Sequence, residues 1–214
     1  MNVSIFGSGN MARGIGYRLV RGGHCVTLFG RDAGRLQKLA DELGKAARVG
    51  TAAVKTATTG SPVHDEIVVL AMWYSGNLEI AGRLAGELAG KTVIEISNAL
   101  NETYDGLTLA CDTSAAEQVQ ALLPRSHVVK AFNTTFAQTL AEGQVAGQVL
   151  DVFIAGDDAS AKAKVIGLVE SSGLIPIDAG SLQRSRQLEA MGLLGITLQG
   201  PHRLGFMSAW KLVH

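Results

Sequence analysis

The chain has 214 residues, of which 47% are hydrophobic, and it carries 19 basic and 19 acidic side chains. A chain of this length can bury a full core without disulfide or metal cross-links, and a formal charge of zero excludes a global field that would attract nucleic acid or anionic membranes. Two cysteines, Cys25 and Cys111, are too few for a disulfide framework and lack metal-ligand spacing. The sequence shows no basic leader and no apolar run of about 20 residues. We therefore expect a cytoplasmic protein that has neither a membrane nor a nucleic acid as its partner.

The first part of the chain alternates short apolar runs with amphipathic stretches. The pattern predicts a strand from Val3 to Phe6, a helix from Met11 to Val20 and a second strand from Cys25 to Phe29. Asp32 is a suitable N-cap for the helix that follows, and Val54 to Ala57 is the best candidate for a short third strand. This order is typical of a βαβα unit that continues into a larger sheet.

Four later apolar runs are polar on neither face, and helical stretches separate them. Such runs are typical of parallel strands that helices cover on both sides. A last strand is predicted from Leu174 to Ile177. We expect an α/β fold, a doubly wound and mostly parallel Rossmann sheet over residues 1–181. The four runs are Ile67 to Met72, Val93 to Ile96, Val128 to Phe132 and Val152 to Ala155, and the helical stretches are Leu78 to Leu88, Ala115 to Leu123 and Ala159 to Glu170.

Residues 182–214 have a different character. A helical pattern runs from Leu182 to Thr197, and an apolar piece from Leu204 to Val213 closes the chain. Because this piece carries Phe206, Met207 and Trp210, we expect it to be buried on the core or on a partner subunit. The sequence thus predicts a C-terminal helical extension and leaves open a homodimer formed through it.

A glycine-rich turn lies between the first predicted strand and the first predicted helix. Its sequence is Gly7-Ser8-Gly9-Asn10-Met11-Ala12, which matches the dinucleotide-binding fingerprint with alanine at the third position. Gly7 permits the tight turn, and Gly9 lets the backbone approach a pyrophosphate without a Cβ in the way. We expect the run from Gly7 to Met11 to bind the cofactor, with the amides of Asn10 and Met11 facing its phosphates.

The end of the second strand predicts which dinucleotide binds. NAD-specific domains place a carboxylate there, which would repel a 2′-phosphate. In this chain Gly30 occupies that position and Arg31 follows it, with Arg35 one turn later. Two guanidinium groups can clamp a phosphate, so NADP(H) is the predicted cofactor. The alternative is that Arg31 is only a solvated loop residue.

Several further blocks resemble a known family, the NADPH-dependent reductases of the deazaflavin coenzyme F420, and the related cytoplasmic oxidoreductase domain of STEAP ferric reductases. The resemblance covers nearly the whole chain. Beyond the glycine turn and Gly30-Arg31, the matching blocks are Ile94 to Asn98, Val128 to Thr134, Val152 to Asp158 and Ile177 to Leu182.

The resemblance implies hydride transfer between the nicotinamide and an isoalloxazine-like ring, a reaction that needs alignment rather than an acid-base dyad. It also implies that three strand ends line the nicotinamide. Trp73 stands where the deazaflavin reductases have proline, and Asn133 where they have histidine, so the acceptor stays open between a diffusible flavin, a deazaflavin and another small molecule. The implied lining residues are Ala71, Met72, Trp73, Ser97, Asn98, Ala99, Ala131 and Asn133.

Some of these residues also have a purely structural interpretation. Asn133 is either a partner of the nicotinamide carboxamide or a turn former, and Trp73-Tyr74 either stack on a ring acceptor or fill the core. Lys130, inside an apolar run, is expected to snorkel to the edge of the sheet rather than to act in catalysis. Asp157-Asp158 is interpreted as helix capping. The histidines have no spacing suited to a metal or a nucleophile dyad.

The leading hypothesis is an NADPH-dependent oxidoreductase with a small ring acceptor. A non-catalytic NADPH-binding or redox-sensing protein is the alternative from another class. An imine or hydroxyacid reductase is disfavoured, because only about 60 residues follow Asp151 and such enzymes need a longer helical part.

Overall fold

The apolar runs form one eight-stranded sheet in the computed structural model, which describes residues 1–47 and 52–213. A separate two-stranded hairpin, formed by Gln144–Val145 and Gln148–Val149, stands outside this sheet. The strands in chain order are β1 (Asn2–Phe6), β2 (Cys25–Gly30), β3 (Val54–Thr58), β4 (Ile67–Leu70), β5 (Thr92–Glu95), β6 (His127–Lys130), β7 (Gln144–Val145), β8 (Gln148–Val149), β9 (Asp151–Gly156) and β10 (Ile175–Gly180).

The strand order of the large sheet is β10-β9-β6-β5-β4-β1-β2-β3. Neighbouring strands pair in parallel except β6 and β9, which are antiparallel. The order reverses between β1 and β4, and ligands of such sheets bind at the carboxyl ends of the strands on either side of this reversal. The predicted doubly wound and mostly parallel fold is therefore confirmed.

Helices cover both faces of the sheet. Successive residues of a strand point to opposite faces. Ile5 therefore packs into one apolar layer with the helices that follow β1, β2 and β9, while Phe6 packs into the other with the helices that follow β4 and β5. The helices are α1 (Asn10–Arg21), α2 (Ala33–Ala46), α3 (Tyr74–Leu84), α4 (Ala115–Leu122), α5 (Ala137–Glu142), α6 (Ala159–Ser171), α7 (Ser185–Thr197) and α8 (Gln199–His202), with a 3-10 turn at Leu182–Arg184 before α7.

The predicted and observed elements differ where chain geometry overrides the apolar pattern. The run from Val128 to Phe132 stops being a strand at Lys130, because Phe132 adopts a left-handed backbone with φ +63°. Helix α3 begins at Tyr74, four residues before the predicted start. The short helix α5, the β7–β8 hairpin and α8 were not predicted, because elements of two to six residues leave too little periodicity to detect.

The C-terminal extension packs back on the core of the same chain. Helix α7 contacts α4, the Trp210 ring lies beside Gly195, and Asp151 accepts a bond from the backbone of Leu212 at 2.7 Å. Phe206 and Met207 nevertheless remain 41% and 48% exposed, so the core does not bury them and burial on a partner subunit stays a prediction. Within the described residues, no helix is long and apolar enough to cross a membrane.

Candidate functional site

The glycine turn joins three strands at the point where the strand order reverses. Gly7 has φ +132°, and its amide donates to the Phe29 carbonyl at 2.9 Å. A Cβ on Gly7 would lie 2.5 Å from the carbonyl oxygen of Ala71. This turn therefore requires glycine for the fold itself, because both the backbone conformation and the space exclude a side chain.

Gly9 has a different role from Gly7. It is the N-cap of α1, it has an ordinary φ of −86°, and no heavy atom lies within 4 Å of a Cβ built on it. No side chain caps the helix, so the amides of its first turn, beginning with Asn10 and Met11, have no intrahelical partners. An uncapped helix N-terminus with open space in front of it is suited to bind a phosphate.

Two cationic side chains lie at the carboxyl end of β2. Arg31 and Arg35 are both exposed, and in the described part of the chain their guanidinium groups form no hydrogen bond or ion pair. Asp32 is turned toward the helix, where its Oδ1 accepts from the Arg35 amide at 3.0 Å. The nearby carboxylate is thus occupied by capping, as predicted, and does not pair with either arginine.

Two exposed aromatic rings meet beyond the ends of β4 and β5. Trp73 directly precedes α3 and is 66% exposed, so its interpretation as a core residue is wrong. Its ring centroid lies 5.9 Å from that of Tyr104, which is itself 47% exposed and has φ +58°. The side chains of Asn101 and Asp105 hydrogen-bond to each other at 2.7 Å and hold this loop. Sequence reasoning missed Tyr104, whose only local signal is the turn-forming run around it.

The end of β6 presents an amide whose orientation is determined by its partners. Asn133 Nδ2 donates to Asn98 Oδ1 at 2.9 Å and to the Leu188 carbonyl at 2.8 Å. Both of its donors are therefore used, and its Oδ1 is buried without a hydrogen-bond partner among the described residues, as is the Thr134 hydroxyl. A buried unsatisfied acceptor is unfavourable by about 1–3 kcal/mol. This oxygen thus has an acceptor capacity that no described group of the protein uses.

A buried charge cluster, formed by Glu95, Lys130 and Glu189, lies behind these loops. Lys130 has no exposed surface, and its Nζ lies 2.6 Å from Glu95 and 2.8 Å from Glu189. Its Nζ also donates to the Ser97 carbonyl. The expectation that Lys130 snorkels to the edge of the sheet is therefore wrong, because two carboxylates and a carbonyl satisfy its three donors inside the protein.

Burial and charge compete in setting the ionisation of this cluster. Burial lowers the pKa of Lys130, but the Glu95 and Glu189 carboxylates raise it by more, so the pKa lies above its ordinary value. Burial raises the pKa of Glu189, although Lys130 opposes the shift. Sequence reasoning missed both glutamates as partners; the available signal was a pair of charged residues, Glu95 and Lys130, inside apolar blocks.

The remaining polar residues that the sequence singled out are structural. Asp158 accepts from the Ala161 amide at 2.7 Å and caps α6, as predicted, while Asp157 accepts from the Leu182 amide at 2.9 Å. Ala99 and Ala131 are fully buried, so their side chains support the loops rather than face the surface. In the ranges that the structure describes, no three His, Cys, Asp or Glu side chains are grouped to hold a metal.

The sheet order, the glycine turn at its reversal point and the uncapped start of α1 together define a Rossmann-type dinucleotide-binding protein. The family described as NADP oxidoreductase, coenzyme F420-dependent, matches residues 2–99. The F420-dependent NADP reductase of Methanocaldococcus jannaschii is 28% identical over 209 residues, which cover 93% of this chain and 93% of that protein. The chain therefore resembles the NADP oxidoreductases of this family, most directly over its N-terminal part.

Two further comparisons agree with this resemblance. A crystal structure from Arthrobacter sp. FB24, described as a candidate F420-dependent NADP reductase, superimposes with a TM-score of 0.84 at 28% identity and covers 100% of both chains. The rat metalloreductase STEAP3 is 32% identical over 191 residues, which cover 89% of this chain but 36% of that protein. The chain thus spans little more than a third of the length of the metalloreductases that it matches.

Proposed function

We propose that this protein transfers a hydride between NADP(H) and a planar acceptor of the flavin or deazaflavin type. The observation that carries the proposal is the buried, unpartnered Oδ1 of Asn133 at the carboxyl end of β6. The carboxamide of nicotinamide carries an NH₂ donor that matches this acceptor. The match supports a nicotinamide position at the edge of the sheet where β4, β5 and β6 end.

The rest of the cofactor would extend along the carboxyl ends of the strands from β6 to β2. The backbone from Gly7 to Met11, including Ser8, would hold the pyrophosphate at the start of α1. Arg31 and Arg35 would clamp the 2′-phosphate beside Gly30, where a carboxylate would repel it. The loops that carry Ala71, Met72, Trp73, Ser97, Asn98, Ala99, Ala131 and Asn133 would surround the nicotinamide.

NADP(H), when bound, supplies or takes up the hydride at its ring. The residues of this chain would orient the two rings and exclude water, and alignment of this kind provides most of the catalysis in hydride transfer. For this reason the reaction needs no acid-base residue.

The aromatic pair Trp73 and Tyr104 supports a ring acceptor. Both rings are exposed at the same edge of the sheet as Asn133, and aromatic stacking adds about 0.5–1.5 kcal/mol beyond the burial of area. An acceptor stacked on this pair would be a diffusible molecule that enters from solvent.

The cofactor assignment is tested by the variant Arg31→Ala. Removal of a charge-assisted hydrogen bond should weaken NADPH binding about tenfold to a hundredfold, whereas NADH, which lacks the 2′-phosphate, should bind as before. Titration of intrinsic NAD(P)H fluorescence measures both constants. Arg125→Ala is the matched control, because Arg125 is exposed and lies at the opposite edge of the sheet, before β6. Equal losses for the two cofactors would contradict the assignment.

The acceptor is tested by stopped-flow oxidation of NADPH in the presence of coenzyme F420, FMN, FAD or a ferric chelate. Rapid oxidation by a flavin or deazaflavin would support the proposal, and its rate should fall in Trp73→Ala and Tyr104→Ala. Tight NADPH binding without turnover by any acceptor would favour the alternative, a redox-sensing protein.

We also propose a homodimer that buries the exposed tail. The large apolar side chains of Phe206, Met207, Leu212 and Val213 are 41% to 81% exposed, and exposed apolar surface can mark an interaction site. Sedimentation equilibrium should show a dimer that the double variant Phe206→Ser/Met207→Ser weakens. A strictly monomeric wild type would contradict this proposal.

A further inference from the structure

We propose that Glu189 on α7 is a positioning residue of the nicotinamide site, which makes the C-terminal helix a working part of that site. The inference rests on the proposed function, since it assumes that the nicotinamide meets Asn133. It adds a residue that lies 59 positions beyond its partner Lys130 in the chain and that touches neither ring itself.

The buried charge cluster clamps the loop after β5 through one residue, Ser97. Glu95 Oε1 accepts from the Ser97 amide at 2.9 Å and from the Ser97 hydroxyl. Lys130 Nζ donates to the Ser97 carbonyl. Both backbone polar atoms and the hydroxyl of Ser97 are thus held by the cluster, and the next residue, Asn98, is the partner of Asn133.

Glu189 closes this cluster from the side of α7. Its Oε1 lies 2.8 Å from Lys130 Nζ, and its Oε2 accepts from the Ala115 amide at 3.1 Å, at the first residue of α4. The preceding residue, Leu188, accepts from Asn133 Nδ2 at 2.8 Å. One turn of α7 therefore anchors the lysine, the start of α4 and the amide that we assign to the nicotinamide.

Helix α7 also packs directly on the second amide of the pair. A Cβ on Gly192 would lie 2.6 Å from Asn98 Oδ1, so the amide lies flat against the helix backbone. The two amides are consequently held between the strand ends and α7. Any displacement of this turn of α7 moves the Asn133 oxygen that faces the ligand.

A stabilising role alone does not account for such a cluster. Buried ion pairs are often no more stabilising than apolar residues of similar size, because desolvation offsets the attraction between the charges. Directional hydrogen bonds from three charged groups do, however, restrict the positions of the loop and the helix turn that they join. We infer that the cluster fixes the positions of the loops around the proposed nicotinamide site. Misplacement of reacting groups by about 1 Å can slow a reaction about a hundredfold.

The test uses Glu189→Gln and two ligands that differ only in the nicotinamide. NADPH and 2′-phospho-ADP-ribose share the adenosine, the 2′-phosphate, the pyrophosphate and the second ribose. A difference between their affinities therefore reports on the nicotinamide alone. A glutamine side chain can accept only through its oxygen, because its NH₂ group is a donor. It therefore cannot accept from both Lys130 and the α4 amides as the carboxylate does, so this turn of α7 should shift. NADPH affinity should fall about threefold to tenfold, the equivalent of one neutral hydrogen bond, while the affinity for 2′-phospho-ADP-ribose stays within about twofold. Single-turnover hydride transfer should slow by about tenfold to a hundredfold.

Arg186→Gln provides the matched control on the same helix. Arg186 ties α7 to α4 by a two-point pair with Glu117, at 2.6 and 2.9 Å, but contacts no part of the buried charge cluster within the described residues. This variant should leave the ratio of the two affinities and the rate of hydride transfer unchanged. If Glu189→Gln does not fold, Glu189→Asp carries the same test, since it keeps the charge but withdraws it by one methylene.

The outcomes separate this inference from the proposed function. Selective loss of NADPH affinity in the Glu189 variant supports the inference. Equal losses for both ligands, no loss for either, or equal effects of the Glu189 and Arg186 variants overturn it while leaving the cofactor assignment intact. A wild-type protein that binds neither ligand overturns both.

Discussion

The side chain of Asn133 donates to Oδ1 of Asn98 at 2.9 Å, and Nδ2 of Asn98 donates back to the Asn133 carbonyl at 3.1 Å. The two residues follow neighbouring strands, β5 and β6, so this reciprocal pair joins two loops of the candidate site. The reciprocity fixes which atom of each amide is nitrogen and which is oxygen. It follows that Asn133 Oδ1 faces away from the pair as an acceptor.

The orientation of this amide is tested by the nearly isosteric variant Asn133→Asp. A carboxylate in place of Nδ2 would face two oxygens, Asn98 Oδ1 and the Leu188 carbonyl. We expect the free energy of unfolding to fall by about 1–3 kcal/mol or more, measured by urea denaturation at neutral pH without cofactor. Asn10→Asp makes the same change at an exposed position and should alter stability by less than about 0.5 kcal/mol. Equal stability of the two variants would show that the amide is oriented the other way.

Gly7 and Gly9 should respond in opposite ways to substitution by alanine. Gly7→Ala forces a Cβ to within 2.5 Å of a carbonyl oxygen at φ +132°, so the protein should lose stability by more than about 2 kcal/mol. Gly9→Ala meets open space and should lose less than about 1 kcal/mol, the difference between glycine and alanine at an N-cap. Its NADPH affinity should nevertheless fall, since the Cβ occupies the approach to the pyrophosphate. Thermal unfolding and NADPH titration measure the two effects, and unchanged affinity in Gly9→Ala would contradict a phosphate site at α1.

Two helical glycines provide a second matched pair. Gly192→Ala would place its Cβ 2.6 Å from Asn98 Oδ1, and this overpacking should destabilise the protein by about 1–3 kcal/mol. Gly167→Ala in α6 meets no neighbour within 4 Å and should stabilise by about 0.5–1 kcal/mol, because alanine is the better helix former. Urea denaturation gives both values. Stabilisation by Gly192→Ala would show that α7 is not packed on the amide pair.

Lys130→Met removes the cation from between Glu95 and Glu189. Breaking a buried ion pair in this way should destabilise the protein by about 3–5 kcal/mol at neutral pH. Burial already raises the pKa of Glu189, and loss of the ammonium group raises it further. A carboxyl whose folded pKa lies above its unfolded value of 4.5 favours folding most at low pH, and that contribution is lost as the pH rises through the folded pKa.

The stability difference between wild type and Lys130→Met should therefore widen from pH 5 to pH 8, as measured by urea denaturation. Adding Glu189→Gln to Lys130→Met should recover part of the loss and flatten this dependence, because one of the two facing charges is gone. Lys38→Met, on the exposed face of α2, is the control and should show no such trend. A difference that does not depend on pH would contradict ionisation of Glu189 in the variant.

Much of the fold and one end of the candidate site could be predicted from local sequence. Apolar runs located β1, β2, β4, β5 and β6 to within two residues at either end, because a strand buried on both faces needs an uninterrupted apolar segment. The glycine turn and the Asp32 cap could likewise be predicted, because each depends on residues that are close together in the sequence. The arginine pair at the end of β2 is identified in the same way, because it lies within one turn of the strand that presents it.

The tertiary structure decided the other end of the site. Lys130 has no local partner, and only the return of α7 brings Glu189 to it across 59 residues. The left-handed Phe132 and the facing amides of Asn98 and Asn133 likewise depend on contacts between separate loops. By itself the sequence determined a Rossmann-type sheet and the glycine turn at its reversal point, since these follow from periodicity and from steric limits within a few residues. The arrangement of the loops after β5 and β6 is set by burial of charges that meet only in the folded chain.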